Sequence, residues 1–92
     1  MKNVKVTQMS SNRTGEAVRN QIRIVTSDGV YFQSYESIIA VKRPNGSVEL
    51  DSKYWNYSPT TAKYRNQFLN ETTKETQKKI DSGVYKLVDL NS

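Results

Sequence analysis

Apolar and polar residues alternate at the start of the chain, as they do in a strand with one buried face. The pattern predicts a short edge strand over residues 2–6, with Val4 and Val6 facing inward and Lys5 facing solvent. Residues 7–17 are polar and contain Ser, Asn and Gly, so we predict a loop there.

A longer strand is predicted over Val18–Thr26. Ile22 and Ile24 share one face of it, and we expect that face to be buried because two isoleucines lie on it. Arg23 lies between them on the other face. The same alternation therefore predicts that Arg23 points to solvent.

Turn residues divide the next segment into further strands. The Asp-Gly pair at 28–29 predicts a tight hairpin, because Gly supplies the positive φ that such a turn needs, and a return strand over 30–35 follows it. The apolar run Ile38–Val41 predicts a central strand that is buried on both faces. Pro-Asn-Gly at 44–46 predicts a second turn, followed by a half-buried strand over 48–50.

Two consecutive helices are predicted after these strands. Ser58 has the chemistry of an N-cap and Pro59 suits the first helical position, so a helix of about 12 residues begins there. Thr-Thr-Lys-Glu at 72–75 fits a capping box and predicts a second helix. Residues 84–90 then alternate as a last strand.

These elements define one α+β domain over residues 1–92. We expect a mostly antiparallel sheet of four to five strands, with two consecutive short helices before a C-terminal strand.

The composition excludes several kinds of chemistry. The 92 residues include no cysteine and no histidine, so thiolate chemistry, disulfides and the usual zinc ligands are absent. Histidine is also the commonest general acid–base residue. We therefore expect a protein that is not an enzyme and holds no cofactor or metal. Because no apolar run approaches the roughly 18 residues that span a bilayer, and the N-terminus lacks an apolar signal core, we expect a soluble intracellular protein without a membrane partner.

Positive charge is concentrated in the first half of the chain. The net charge is +5, and residues 1–46 carry seven cations and three acids, against seven and six in residues 47–92. An excess of cations favours an anionic partner such as nucleic acid, although many small domains carry a similar charge for solubility alone.

Aromatic and basic residues are concentrated between positions 53 and 65. Single-stranded nucleic acid is bound by cations that follow the phosphates and by aromatic rings on which bases stack. The candidate binding residues in this segment are Lys53, Tyr54, Tyr57, Lys63 and Arg65. Core packing is the alternative for aromatic residues in a chain with few leucines. On that interpretation the buried aromatic residues are Trp55, Tyr64 and Phe68.

A second candidate surface consists of cations on the N-terminal strands. If the valines and isoleucines point inward, alternation places the intervening cations on one basic sheet face. The residues of this predicted face are Lys2, Lys5, Arg13, Arg19 and Arg23. Such a face suits a nucleic-acid backbone or an acidic protein partner, but a solvated surface gives the same pattern.

Three segments of the chain carry a resemblance to known proteins. They are Tyr-Phe-Gln-Ser-Tyr-Glu-Ser-Ile-Ile-Ala at 31–40, the segment 54–69, and Thr-Thr-Lys-Glu-Thr at 72–76 followed by Lys-Ile-Asp-Ser-Gly-Val-Tyr at 79–85. Their order resembles a family of short, uncharacterised proteins encoded by bacteriophages, over residues 31–90 and not over 1–30. The resemblance implies a viral gene product that acts in the cytoplasm of a bacterial host. It transfers no catalytic or binding residue to this chain.

Two functions from different classes remain. In the first, the protein binds and inhibits a bacterial host factor, such as a defence nuclease of the CRISPR-effector kind, or sequesters a signalling nucleotide; the phage resemblance favours this function. In the second, it is a small basic module that binds single-stranded DNA or RNA. The expected partner is a bacterial host protein or its nucleic-acid complex, with free nucleic acid as the alternative. A chain this short also leaves a homodimer open.

Overall fold

The computed structural model describes residues 4–11 and 13–91 of the chain, which form one sheet and two helices. The strands are β1 (Lys5–Ser10), β2 (Ala17–Thr26), β3 (Gly29–Ser34), β4 (Ser37–Lys42), β5 (Val48–Asp51) and β6 (Tyr85–Val88). The helices are α1 (Pro59–Leu69) and α2 (Thr73–Asp81), and both lie between β5 and β6 in the sequence. Within the described residues no helix is long and apolar enough to cross a membrane.

The six strands pair in the order in which they occur in the chain. The first five form an antiparallel meander, whereas β6 pairs with β5 in parallel. A parallel neighbour needs a crossover connection, and the two helices supply it. The predicted α+β class, with two helices before a C-terminal strand, is confirmed. The sheet has six strands rather than four to five, because the first and last strands both join it.

Both helices pack on one face of the sheet, and the hydrophobic core lies between the helices and that face. Phe32 of β3 stacks on Phe68 of α1, with ring centroids 5.7 Å apart. Ile39 and Leu50 are fully buried in the same cluster, and Ile80 of α2 packs against it. We call this side of the sheet the covered face and the other side the open face.

Strand β4 is buried on both faces, as its continuous apolar run predicts. Ile39, Ala40 and Val41 are all 0% exposed. A bulge in the pairing of β3 with β4 leaves Ile39 as one extra residue of β4. Because the bulge interrupts the alternation of faces, the consecutive residues Ile39 and Ala40 both join the core cluster. Val41 lies outside that cluster and pairs in register with Tyr31, the neighbour of the core residue Phe32. Val41 therefore belongs to the open face.

The faces predicted for the residues of β2 are reversed, although Arg23 is exposed as predicted. Arg23 pairs in register with Phe32, and directly paired residues share a face of the sheet, so Arg23 lies on the covered face. Ile24 pairs with Tyr31 and lies on the open face, and Ile22 lies there too because side chains two apart in a strand share a face.

The edge strand is shifted and its orientation is also the reverse of the prediction. It begins at Lys5 and continues through part of the predicted loop, to Ser10; residues 2 and 3 of the predicted strand lie outside the described residues. Lys5 pairs with Val25 and lies on the covered face, whereas Val6 pairs with Ile24 on the open face. Val6 is consequently 60% exposed rather than buried.

The reversal has a physical cause. Helix α1 packs on β3 and β4, and α2 packs on β6, so the helices leave much of β1 and β2 uncovered. On such strands both faces are partly solvated, and hydrophobic alternation no longer marks the inner one. The fully buried residue of β2 is Gln21, and Ile22 and Ile24 are only half-buried.

Candidate functional site

Arg65 is fully buried and holds the aromatic segment in place. Its Nη1 donates to the carbonyl oxygen of Trp55 at 2.6 Å and to Oδ1 of Asn56 at 3.0 Å. Its Nη2 donates to Oδ1 of Asn66 at 2.8 Å and to Oγ1 of Thr73 at 2.7 Å. Burial lowers the pKa of Arg65. The guanidinium therefore joins the segment before α1 to the start of α2, and an external ligand cannot reach it.

The aromatic residues of this segment contribute unequally to the core. Tyr64 is 5% exposed and Phe68 is 6% exposed, so their predicted burial is confirmed. Trp55 is only half-buried and packs against the edge of the core cluster. The guanidinium carbon of Arg65 lies 5.0 Å from a ring centroid of Trp55. Trp55 thus supports Arg65 and is less buried than predicted.

Lys53, Tyr54 and Tyr57 form a group at the surface, which we call the tyrosine cluster. The two tyrosine rings meet edge to face, with centroids 5.4 Å apart and an interplanar angle of 77°. Nζ of Lys53 lies 5.3 Å from the ring centroid of Tyr54, and Tyr57 is 48% exposed. The structure brings these three predicted site residues together.

Carboxylates border the tyrosine cluster on two sides. Tyr54 lines a cavity of about 330 Å³ together with Asp51 and Asp89. Tyr57 lines another, of about 440 Å³, together with Glu36. Because carboxylates repel phosphate groups, neither cavity suits a polyanion.

The remaining candidate cations lie on other parts of the molecule. Nζ of Lys63 lies 5.3 Å from the ring centroid of Tyr64, and Lys63 lines a cavity that also contains Glu71. Arg19 is exposed near the start of β2. Lys5 is on the covered face, and Lys2 of the predicted basic face lies outside the described residues. Of the predicted basic sheet face, Lys5 and Arg23 share the covered face of the sheet.

Arg23 lines a cavity of about 310 Å³ that lies between β1, β2 and α1. We call this cavity the crevice. Its other lining residues are Thr7, Gln8, Met9, Ser10, Gln67 and Phe68. Nε2 of Gln67 donates to the carbonyl oxygen of Ser10 at 2.7 Å, which ties α1 to β1.

Lys42 places a second cation beside Phe68, one of the residues that line the crevice. Its Nζ lies 4.5 Å from the ring centroid of Phe68, a residue that lines the crevice. Burial, and then the nearby charge of Arg23, lower the pKa of Lys42. The sequence did not indicate that Lys42 and Gln67 lie at the crevice. Lys42 is the polar end of a strand and Gln67 is on the polar side of a helix, and residues in both positions are usually solvated.

A row of side chains crosses the open face. In register from β1 to β5 it consists of Val6, Ile24, Tyr31, Val41 and Glu49. Val6 is 60% exposed, and Ile24 and Tyr31 are half-buried. The sequence shows that Val6 and Ile24 are apolar, but their alternation with polar residues predicted that both belong to the core and not to the open face.

The charged end of this row is neutralised internally. Nη2 of Arg43 donates to Oε1 of Glu49 at 2.8 Å, and Nη1 donates to the hydroxyl of Tyr31 at 3.0 Å. The hydrogen bond to Glu49 raises the pKa of Arg43. The open face thus combines an apolar region with a closed ion pair.

Two buried carboxylates support the fold. Asp51 is 1% exposed, and its oxygens accept hydrogen bonds from the backbone N–H groups of Lys53, Tyr54 and Leu90. Oε1 of Glu71 accepts from Nζ of Lys79 at 2.7 Å and from the hydroxyl of Tyr85 at 2.8 Å. In the described part of the chain, no group of three His, Cys, Asp or Glu residues is arranged to hold a metal ion.

The fold and these surfaces define a small α+β protein with an uncovered apolar sheet face and a cationic crevice. The chain matches the model of DUF8033, a family of unknown function, over residues 4–83, and it belongs to that family. The match includes residues 4–30, which the resemblance seen in the sequence left outside. No curated protein and no solved structure matches the chain. A bacteriophage origin is not part of the family description and enters only the proposal that follows.

Proposed function

We propose that this protein is a non-enzymatic binding protein that docks on a bacterial host protein through the open face of its sheet and inhibits it. The observation behind this proposal is the apolar row on that face, in which Val6 is 60% exposed, Ile24 and Tyr31 are half-buried and Val41 is fully buried. An antiparallel sheet with one solvated face normally presents polar side chains there. Exposed apolar side chains in a continuous group are typical of an interaction surface.

The charges on the open face favour a protein over a nucleic acid. Arg43 is already paired with Glu49, and the predicted site cations Lys5 and Arg23 lie on the covered face. On the open face a phosphate backbone would find the exposed Lys86, which is paired in register with Glu49, but few other free cations. Phosphate contacts supply most of the affinity for nucleic acid. An apolar patch on a protein, in contrast, would remove the valine and isoleucine side chains from water.

The edge of the sheet lies beside the same apolar row. Among the described residues β1 pairs only with β2, on one of its sides, so its other side presents backbone groups that no described strand pairs with. A partner strand added there would extend the sheet, and its side chains would continue the row beyond Val6. The resemblance of three segments to short phage proteins supports a host factor, such as a defence nuclease of the CRISPR-effector kind, as the partner.

A capture experiment with a matched control tests this function. Tagged protein is incubated with nuclease-treated bacterial lysate, as wild type, as Val6→Lys and as Val84→Lys. Val84 is 63% exposed and precedes β6, the strand at the opposite edge of the sheet from β1, so its substitution introduces the same charge far from Val6 in the strand order. We expect a host protein to bind the wild type and Val84→Lys but not Val6→Lys. After purification, the same host protein should bind the purified wild type directly.

Two outcomes of this experiment would overturn the proposal. If a parallel incubation with untreated lysate captures a partner that the nuclease-treated lysate does not yield, nucleic acid is the true ligand. A wild-type dimer that becomes monomeric in Val6→Lys, measured by light scattering, would assign the open face to a second copy of the chain.

The tyrosine cluster supports one alternative function, a single-stranded nucleic-acid-binding module. Tyr57 is exposed and Lys53 lies over the ring of Tyr54, and each base stacked on an aromatic ring contributes about 1–3 kcal/mol. The carboxylates of Asp89 and Glu36 in the adjoining cavities weigh against it. Sequestration of a signalling nucleotide is a second form of the inhibitor function and needs an anion site of its own.

A further inference from the structure

We propose that the crevice between β1, β2 and α1 binds a small organic phosphate. The crevice lies on the covered side of the sheet, whereas the proposed protein-docking surface is the open face. Binding in the crevice and docking on the open face are therefore separable by mutation.

The lining of the crevice has the chemistry of a phosphate site. Thr7 and Arg23 are directly paired across β1 and β2, share the covered face and both line the crevice. Ser10 also lines the crevice. Arg23 is exposed and makes no ion pair or side-chain hydrogen bond with any residue that the structure describes. Its guanidinium can donate two parallel hydrogen bonds to a phosphate.

The positive charge at the crevice lacks a counter-charge of its own. Lys42 lies on the same face, with its ammonium 4.5 Å from the ring centroid of Phe68, and forms no ion pair in the described part of the chain. None of the described residues that line the crevice is acidic. The carboxylate that acts on Lys42 is Glu71, which is already paired with Lys79 at 2.7 Å. An anion in the crevice would relieve the repulsion between Lys42 and Arg23.

A hydrogen-bond acceptor in the crevice indicates that the ligand is more than a bare phosphate. Oε1 of Gln67 is buried and has no partner among the described residues. The amide is fixed because its nitrogen donates to the carbonyl oxygen of Ser10. A buried acceptor without a partner is costly. Because this oxygen has almost no accessible surface, a ligand hydroxyl or amine supplies the missing donor only after a small shift of the Gln67 side chain.

The size of the crevice agrees with a small organic ligand. Its volume of about 310 Å³ is at the lower end of the range of roughly 300–1,000 Å³ that is typical of small-molecule sites. Phe68 and Met9 provide apolar wall for the uncharged part of the ligand. Gln21, two residues from Arg23 on the same face of β2, is fully buried and keeps both amide atoms unpartnered among the described residues.

Calorimetric titration with four probes tests the site. The probes are inorganic phosphate, ribose 5-phosphate, adenosine 5′-monophosphate and adenosine. We expect both phosphate esters to bind more tightly than inorganic phosphate, and adenosine not to bind. The difference between the two esters measures what a base adds to the phosphate and sugar.

Two variants locate the binding. Arg23→Gln should weaken binding of the esters about tenfold or more, the usual effect of losing a charged hydrogen bond. Arg19→Gln removes the same charge from the same strand and should change the affinity by less than about twofold. Gln67→Leu should lower the affinity for the esters towards that for inorganic phosphate, with thermal melting as the control for folding.

Three results would overturn the proposal. The first is the absence of binding by either ester at millimolar concentration. The second is equal weakening by Arg23→Gln and Arg19→Gln, which would indicate general attraction to a basic surface. The third is ester-induced NMR shifts that map to the open face. None of these results would affect capture of a protein partner through Val6.

Discussion

At the residue scale, two turn glycines carry different constraints. Gly29 has φ of 142°, and a Cβ built on it would lie 2.5 Å from the carbonyl oxygen of Lys42. Gly46 has φ of 91°, which confirms the predicted turn position, but a Cβ there would meet no atom within 4 Å. The first glycine is needed for its conformation and for a close backbone approach, and the second for conformation alone.

Substitution of the two glycines should separate these effects. We expect Gly46→Ala to lower the free energy of unfolding by about 1 kcal/mol through backbone strain. Gly29→Ala should cost more than about 2 kcal/mol, because the backbone of β4 must also move. Urea denaturation of both variants measures the difference. Equal costs would mean that the hairpin between β2 and β3 relaxes freely.

The buried carboxylate of Asp51 should make stability depend on pH. Burial raises the pKa of Asp51, but hydrogen bonds from the Leu90 and Tyr54 backbone, from Asn91 and from the Lys53 backbone together lower it below the usual 3.8. A group whose pKa is depressed on folding stabilises the protein above its unfolded pKa. That contribution is lost as pH falls through the lower, folded value.

We therefore expect the free energy of unfolding to fall as pH drops below about 3.8, the ordinary value of an aspartate. At neutral pH, Asp51→Asn should cost about 1–3 kcal/mol, because an amide cannot accept all of these hydrogen bonds, and it should remove part of the acid dependence. Asp28→Asn, in an exposed turn, is the matched control. An unchanged pH profile in Asp51→Asn would show that other carboxylates dominate.

Single residues differ in how far the sequence reveals their role. Turn glycines and helix caps were predictable, because their conformational requirements are local. The burial of Arg65 was not, because its hydrogen-bond acceptors are Trp55, Asn56 and Thr73, up to ten residues away. An arginine in an amphipathic helix has the same local pattern whether it is solvated or enclosed.

At the element scale, α1 begins as the sequence predicts. Oγ of Ser58 accepts a hydrogen bond from the backbone N–H of Thr61 at 3.1 Å, and Pro59 follows at the first helical position. Helix α2 begins with the predicted capping box between Thr72 and Glu75. Both signals depend on neighbouring residues only.

Removal of the first cap should be measurable. Ser58→Ala should lower the free energy of unfolding by about 1 kcal/mol, because the Thr61 N–H loses its acceptor. The Ser58 hydroxyl also lies 3.0 Å from the hydroxyl of Thr61, which is itself buried against Ser34 of β3. Ser58→Asp keeps an acceptor and serves as the control. A denaturation midpoint for Ser58→Ala equal to that of wild type would contradict the role of this cap.

Strand positions were predictable, but the faces of the outer strands were not. The strands β2 to β5 lie close to their predicted positions, because turns and apolar runs are local signals. Which face of β2 is covered depends on where α1 packs, and α1 packs on β3 and β4. The inward face of β2 was predicted wrongly for that reason, and the open apolar face and the crevice became visible only in three dimensions.

At the scale of the whole molecule, the net charge of +5 does not form one surface. Arg65 is buried, Arg43 and Lys79 are paired with carboxylates, and Arg23 lies at the crevice. Long-range attraction of anions remains, but a nucleic-acid strand needs several cations spaced along one path. Burial and ion pairing remove several cations from such a path, and Lys5, Arg23 and Lys42 remain on the covered face.

We therefore expect weak binding to single-stranded oligonucleotides, with a dissociation constant above about 10 µM at about 150 mM salt. The logarithm of affinity should fall only shallowly with the logarithm of salt concentration, since each phosphate contact contributes a slope of about −0.7. Fluorescence anisotropy over a salt series measures both. Arg19→Glu combined with Arg23→Glu should remove the residual electrostatic attraction, whereas Tyr57→Ala should change little. Sub-micromolar affinity that Tyr57→Ala abolishes independently of salt would instead establish the tyrosine cluster as a stacking site and make nucleic acid the primary ligand.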